Sequence, residues 1–145
     1  DNLYGITQLT MKDDQKRREL VERLLGEFNL TQIQNLKAEN LSGGQAKRVS
    51  IARVMITNPK VILMDEPCSA LDPISSEEVS KYILKLQSTF NVSILITEHN
   101  VKNIFDLADN IMLLGENRII AEGTPSEILK SPKAKELYFG SSYSI

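Results

Sequence analysis

Residues 61–67 read VILMDEP. Four apolar residues run without a break into two acidic ones, and a proline closes the stretch. An unbroken apolar run of this kind suits a strand buried on both faces, as in parallel sheets. Asp65 and Glu66 then stand at the strand's C-terminal end, where ligands bind in open α/β sheets. VSILIT at 92–97 is a second such run, and His99 follows just past its end. Between the two, Asp72-Pro73 reads as an N-cap followed by proline at the first helical position. Val79, Tyr82, Ile83 and Leu86 then recur at helical spacing. Buried strand, helix and buried strand in succession make the expected fold class α/β.

Upstream, LSGGQAKR at 41–48 opens another helix. Ser42 followed three residues later by Gln45 fits a capping box. The helix carries Val49, Ala52, Met55 and Ile56 on one side and stops at Asn58-Pro59. Two adjacent glycines weaken a helix mouth, so something should come close to its backbone there. A helix N-terminus offers orphan N–H groups and partial positive charge, which suits an anion such as phosphate. Its dipole contributes only about 0.3–1 kcal/mol at an exposed site, so hydrogen bonds are needed as well, and the Ser42 hydroxyl can supply one. A capped helix with a loose entry explains the pentapeptide equally well.

Further out, Leu20, Val21, Leu24, Leu25 and Phe28 form a helical stripe within 12–28, with Asn29 as its stop. Residues 31–40 read as irregular chain with a helical turn. Asn100 caps a short helix bearing Val101, Ile104, Phe105 and Ala108. IMLLG at 111–115 and RIIAEG at 118–123 form a hairpin across Glu116-Asn117. Thr124-Pro125-Ser126-Glu127 is a second capping box. Ser131-Pro132 starts a last helix containing Leu137, Tyr138 and Phe139.

The two carboxylates suggest a chemistry. Asp65 suits Mg²⁺, held through water because that ion keeps several waters. Glu66 suits a general base that polarises an attacking water, a role typically worth about 10²–10⁴-fold. A pair of surface carboxylates at a strand end is the simpler alternative. SALDP at 69–73 is, by itself, a turn with an N-cap. A lone histidine is more often structural than catalytic, but His99 ends a second strand on the same edge as Asp65. Cys68 is the one cysteine, so no disulfide forms within the chain; it reads as a small buried filler in a reducing compartment.

Bulk properties exclude other classes. The chain has 145 residues, 41% hydrophobic and 25% charged, with a formal net charge of −2, which argues against a nucleic-acid face. The charge run KDDQKRREL at 12–20 mixes both signs and reads as a solvated helix face. No apolar run approaches the roughly 18–20 residues of a membrane span. DNLYGITQLT at the start lacks the features of a signal peptide and an initiator methionine, so a piece of a longer protein is expected.

LSGGQ, VILMDEP, SALD and ITEHN, in this order and at these spacings, resemble the nucleotide-binding domain of ATP-binding-cassette (ABC) proteins along the whole chain. The resemblance implies that Ser42, Gly43, Gly44 and Gln45 form the signature motif. It implies that Asp65 is the Walker B aspartate serving Mg²⁺ and Glu66 the catalytic glutamate. Ser69, Ala70, Leu71 and Asp72 would be the D-loop at a dimer interface, and His99 the switch histidine. The implied cofactors are ATP and Mg²⁺. The implied partners are a second ATPase subunit, paired head to tail as a homodimer, and transmembrane transporter subunits, with no nucleic acid. Each signature would face the γ-phosphate held by the other subunit's P-loop. The implied location is cytoplasmic, peripheral on the inner face of the cell membrane. DPIS at 72–75, ITEHNV at 96–101 and the tail EGTPSEILKSPKAKELYFG at 122–140 resemble the lipopolysaccharide-export ATPases in particular. Branched-chain amino-acid importer ATPases have a similar tail. Chromosome-maintenance ATPases would bring long heptads and translation factors two cassettes, and neither fits.

The chain departs from the family in lacking the P-loop, G-x-x-x-x-G-K-[ST]; Gly43-Gly44-Gln45-Ala46-Lys47 has the wrong spacing. The glutamine loop is absent too. The expected fold is therefore a partial P-loop NTPase (ABC ATPase) three-layer fold, without the P-loop strand and the N-terminal β-subdomain. Within it, 1–42 would be most of a helical subdomain, 43–123 the C-terminal part of the ATPase core opening with the signature helix 43–57, and 124–145 a helical tail. In the family the P-loop strand separates the strands corresponding to 92–97 and 111–115. Without it both would present open edges, and the piece should be marginal alone or close its sheet differently. Two readings follow: the C-terminal portion of a transporter ATPase, inactive alone, or a non-catalytic fragment that only binds partner subunits.

Overall fold

Helices dominate the first half of the chain in the computed structural model, which describes residues 2–136. Leu137, Tyr138 and Phe139 of the expected last helix lie outside the described residues. The chain falls into two units that divide between Glu98 and His99.

The first unit begins with α1, Asn2–Thr10, and α2, Asp14–Glu27. The sequence gives little sign of α1, because Gly5 and the β-branched Ile6, Thr7 and Thr10 are weak helix formers. Packing overrides propensity there: Leu3 and Thr7 are buried, and the Thr7 hydroxyl donates to the Tyr4 carbonyl at 2.7 Å. Asp13 caps α2 by accepting from Gln15 and Lys16 N–H groups. The mixed charges of 12–20 are indeed a solvated face, with Asp14 paired to Arg17 and Arg18 at 2.8 Å each. Val21, Leu24 and Phe28 turn inward, and Asn29 ends the helix in a left-handed conformation, φ 51°. Two short 3₁₀ turns, Thr31–Ile33 and Ala38–Asn40, follow.

Helix α3 runs Gly43–Met55, and Asn58 ends the turn after it at φ 48°. Its buried stripe differs from the expected one. Ala52, Met55 and Ile56 are buried as expected, but Val49 is only half-buried while Arg48 and Ile51 are covered. The stripe faces α4, Pro73–Phe90, whose Val79, Ile83 and Leu86 are almost fully buried. Phe28 joins this core between the Tyr82 ring at 5.7 Å and the Phe90 ring, stacked at 6.2 Å. Lys85 on α4 donates to the Glu27 carbonyl at 3.1 Å, a cation placed at the negative end of α2.

Strands β1, Val61–Asp65, and β2, Ser93–Thr97, pair in parallel with Val61 opposite Ser93 and Asp65 opposite Thr97. Burial on both faces, expected for both strands, does not hold. Ile62 is buried, but Val61, Leu63 and Leu95 on the other face are 58%, 74% and 52% exposed. Strand alternation explains the split, since Leu63 and Leu95 are directly paired and point to the same side.

The second unit holds α5, Val101–Leu107, capped by Asn100, and an antiparallel hairpin of β3, Ile111–Gly115, and β4, Arg118–Gly123. Glu116 and Asn117 turn the hairpin at φ 50° and 60°, as a two-residue loop requires. Helix α6, Pro125–Lys130, follows, with the Glu127 carboxylate accepting from the Thr124 N–H at 2.8 Å. A last described helical turn, Pro132–Ala134, starts at Ser131-Pro132 as expected. Ile111, Leu113, Ile128 and Ala134 form its core. β2 and β3 belong to separate two-stranded sheets, the arrangement expected when no strand joins them.

Candidate functional site

The capping box at the mouth of α3 forms in full. The Gln45 N–H donates to Ser42 Oγ at 3.2 Å, and Ser42 N–H donates to Gln45 Oε1 at 2.9 Å. The cap uses the serine oxygen as an acceptor, so its proton remains able to donate outward. Ser42 and Gly43 are exposed, and Gly44 is buried.

The close approach that the glycines allow is made by the chain itself. A Cβ on Gly43 would lie 2.9 Å from Leu71 Cδ2, and one on Gly44 would lie 3.3 Å from Ser75 Cβ. The glycines thus let the helix mouth sit against Leu71 and the first turn of α4. Gly43, Ala46, Lys47 and Ser50 line one open cleft together with Ser69, Ala70 and Leu71. Of the site residues named from sequence, this cleft brings Gly43 together with Ser69, Ala70 and Leu71.

The acidic pair is held by a network. Thr97 lies opposite Asp65 in the parallel ladder, and its hydroxyl donates to Asp65 Oδ1. Glu66 N–H donates to the Thr97 carbonyl at 2.9 Å, which carries the ladder one residue further. Glu66 then leaves the strand at φ 43° and Ala70 follows at φ 58°. Both are left-handed conformations in non-glycine residues, a strain of order 1–3 kcal/mol each that surrounding bonds must hold. The Glu66 carbonyl accepts from Ser69 N–H at 3.1 Å and from Lys47 Nζ at 3.5 Å. Asp65 is exposed, Glu66 half-buried and Cys68 buried, its Sγ 3.7 Å from Ser80 Oγ. Sequence reading missed Thr97 and Lys47. Aligning the ends of the two apolar runs would have found Thr97; Lys47 gives no local signal.

Asp72 caps α4, accepting from the N–H groups of Ile74 at 3.1 Å and Ser75 at 3.0 Å and from the Ser75 hydroxyl at 2.6 Å. The Ser75 hydroxyl, and then its N–H, hold the Asp72 carboxyl below its ordinary value. A depressed folded value means that the stabilisation is complete above the unfolded value and is lost as pH falls through the folded one. Asp72→Asn should therefore flatten the fall of the urea midpoint below about pH 4, as a comparison of both proteins across that range will read. His99 is the first residue of the second unit and is exposed. No group of three or more metal-ligating side chains occurs among the described residues. A Mg²⁺ bound mostly by water and phosphate needs only one or two carboxylates, so Asp65 remains a fitting donor.

The motifs and the cleft they line find their likeness among proteins of the ATP-binding-cassette family. The family model "ABC transporter" matches residues 2–69. The chain is 37% identical, over its full length, to 60% of the lipopolysaccharide export system ATP-binding protein LptB of Haemophilus influenzae. It is 33% identical over 89% of its length to 51% of the high-affinity branched-chain amino acid transport ATP-binding protein BraF of Pseudomonas aeruginosa. Among solved structures, an inward-facing metal-chelate type ABC transporter superposes with a TM-score of 0.83 at 26% identity, covering 94% of this chain and 56% of that one. The chain thus spans about 60% of the length of the curated LptB relative.

Proposed function

We propose that this chain is the signature-bearing portion of an ABC-type ATPase subunit that powers transport, with lipopolysaccharide export as the transport process. The observation that carries the reading is the shared cleft, where the capped signature helix meets the D-loop beside a strand end that presents Asp65 and Glu66. The 37% identity along the full chain to an LptB protein supports the export assignment over the branched-chain importer alternative.

In this reading Ser42, Gly43, Gly44 and Gln45 meet the γ-phosphate of an ATP held by a second subunit. Glu66, fixed at the strand end through its own N–H and carbonyl, polarises the attacking water. Asp65 would hold Mg²⁺ through water, and that ion would neutralise phosphate charge. Ser69, Ala70, Leu71 and Asp72 form the face toward the second subunit, and His99 orients the phosphate end. The 1–42 segment acts as helical subdomain, 43–123 as ATPase core and 124–145 as tail. Transmembrane subunits would hold the assembly at the inner face of the membrane; no helix among the described residues is long and apolar enough to cross it.

The 145 residues contain no P-loop motif, so the isolated chain should hydrolyse no Mg-ATP above background. A phosphate-release assay on the purified chain checks this. Hydrolysis that disappears in Glu66→Gln would show that the chain holds its own nucleotide, against this reading.

A further inference from the structure

We propose that Arg48 is a positioning residue that sets the signature motif against the D-loop. It lies one turn past Gln45 on α3, and its side chain is only 9% exposed. Its Nη1 donates to Glu78 Oε2 at 2.6 Å, and its guanidinium lies 5.5 Å from the centre of the Tyr82 ring. Its Nε is buried with no hydrogen-bond partner.

A buried guanidinium with one N–H unmet is a poor way to add stability. An apolar side chain of similar volume at such a place is often neutral or stabilising. What the planar fork supplies is direction, since it fixes both the carboxylate it meets and the ring it covers. That direction is needed here. The mouth of α3 touches Leu71 and Ser75 through two glycines, which have no side chains to lock its rotation. Glu78 stands one turn beyond Ser75, which is itself bonded to Asp72. The pair therefore ties the signature helix to the helix that the D-loop enters, and stops α3 from turning about its axis.

The part played by the signature in catalysis rests on the function proposed above, but the geometry is testable without nucleotide. In the 145-residue chain, the nuclear Overhauser cross-peak between the Leu71 methyl and the Gly43 α-protons reports the seating of α3. Arg48→Met should keep the urea midpoint at or above that of the wild type and lose this cross-peak. Glu78→Ala, at an exposed helix position that tolerates alanine, should lose it too. Val79→Ala, a core change on the same helix, should lower the midpoint and keep the cross-peak. The proposal is overturned if both pair variants retain the cross-peak, or if Val79→Ala loses it equally. Because no ATP is present, this result stands or falls independently of the hydrolysis assays.

Discussion

Phe28→Ala should cost about 3–5 kcal/mol, the range for truncating a fully buried aromatic residue. Phe28 has no exposed surface, and its ring meets both Tyr82 and Phe90. It therefore joins the end of α2 to two positions on α4, and alanine would leave a cavity that two helices border. Small domains have only about 5–15 kcal/mol in total, and a unit with one apolar sheet face exposed should sit low in that range. The variant should lose its cooperative urea transition or show it close to zero denaturant. Leu63→Ala gives the contrast. Leu63 is equally hydrophobic but 74% exposed, so the stability of this variant should change by no more than about 0.5 kcal/mol. Circular dichroism during urea titration reads both. Equal effects would mean that the face bearing Val61, Leu63 and Leu95 is covered in the isolated chain.

The second large effect concerns Glu66. A hybrid in which this chain replaces the aligned 60% of the H. influenzae LptB relative supplies the rest of that protein's sequence. That hybrid should hydrolyse Mg-ATP, and Glu66→Gln should lower its turnover by about 10²–10⁴-fold, the usual worth of a general base. The backbone at Glu66 is held by its N–H to Thr97 and by its carbonyl to Ser69, and glutamine preserves both bonds. The loss should therefore appear in kcat with little change in KM, the pattern of an interaction made in the transition state. Single-turnover and steady-state phosphate release together make the check. A fall in nucleotide affinity with kcat intact would give Glu66 a binding role instead.

Much of the fold is readable because local chemistry enforces it. Ser42, Asp72 and Asn100 each precede a helix and cap it as their side chains predict. Glu116-Asn117 turns the hairpin because both residues tolerate positive φ. What a sequence does not display is what lies on the far side of a strand. VILM reads as buried on both faces, yet only alternate residues are covered. Residues 2–10 carry too little propensity to announce a helix, and tertiary contacts at Leu3 and Thr7 form it. The signature glycines were readable as a place of close approach. That Leu71 and Ser75 occupy that place comes from a contact distant in sequence. Arg48 reads as one more polar residue on a helix; only the pairing with α4 shows it buried.

Complementation between two inactive hybrids asks whether the signature motif serves a nucleotide held by another subunit. Ser42→Arg blocks the signature and Glu66→Gln removes the base, so each alone should be inactive. In a head-to-tail dimer of one of each, one site combines an intact Glu66 with the other subunit's intact signature. Random pairing makes half the dimers mixed, each with one good site, so the mixture should recover about a quarter of the unaltered rate. A mixture as inactive as its components would mean that the signature serves its own chain's nucleotide, which leaves no working site in any pairing.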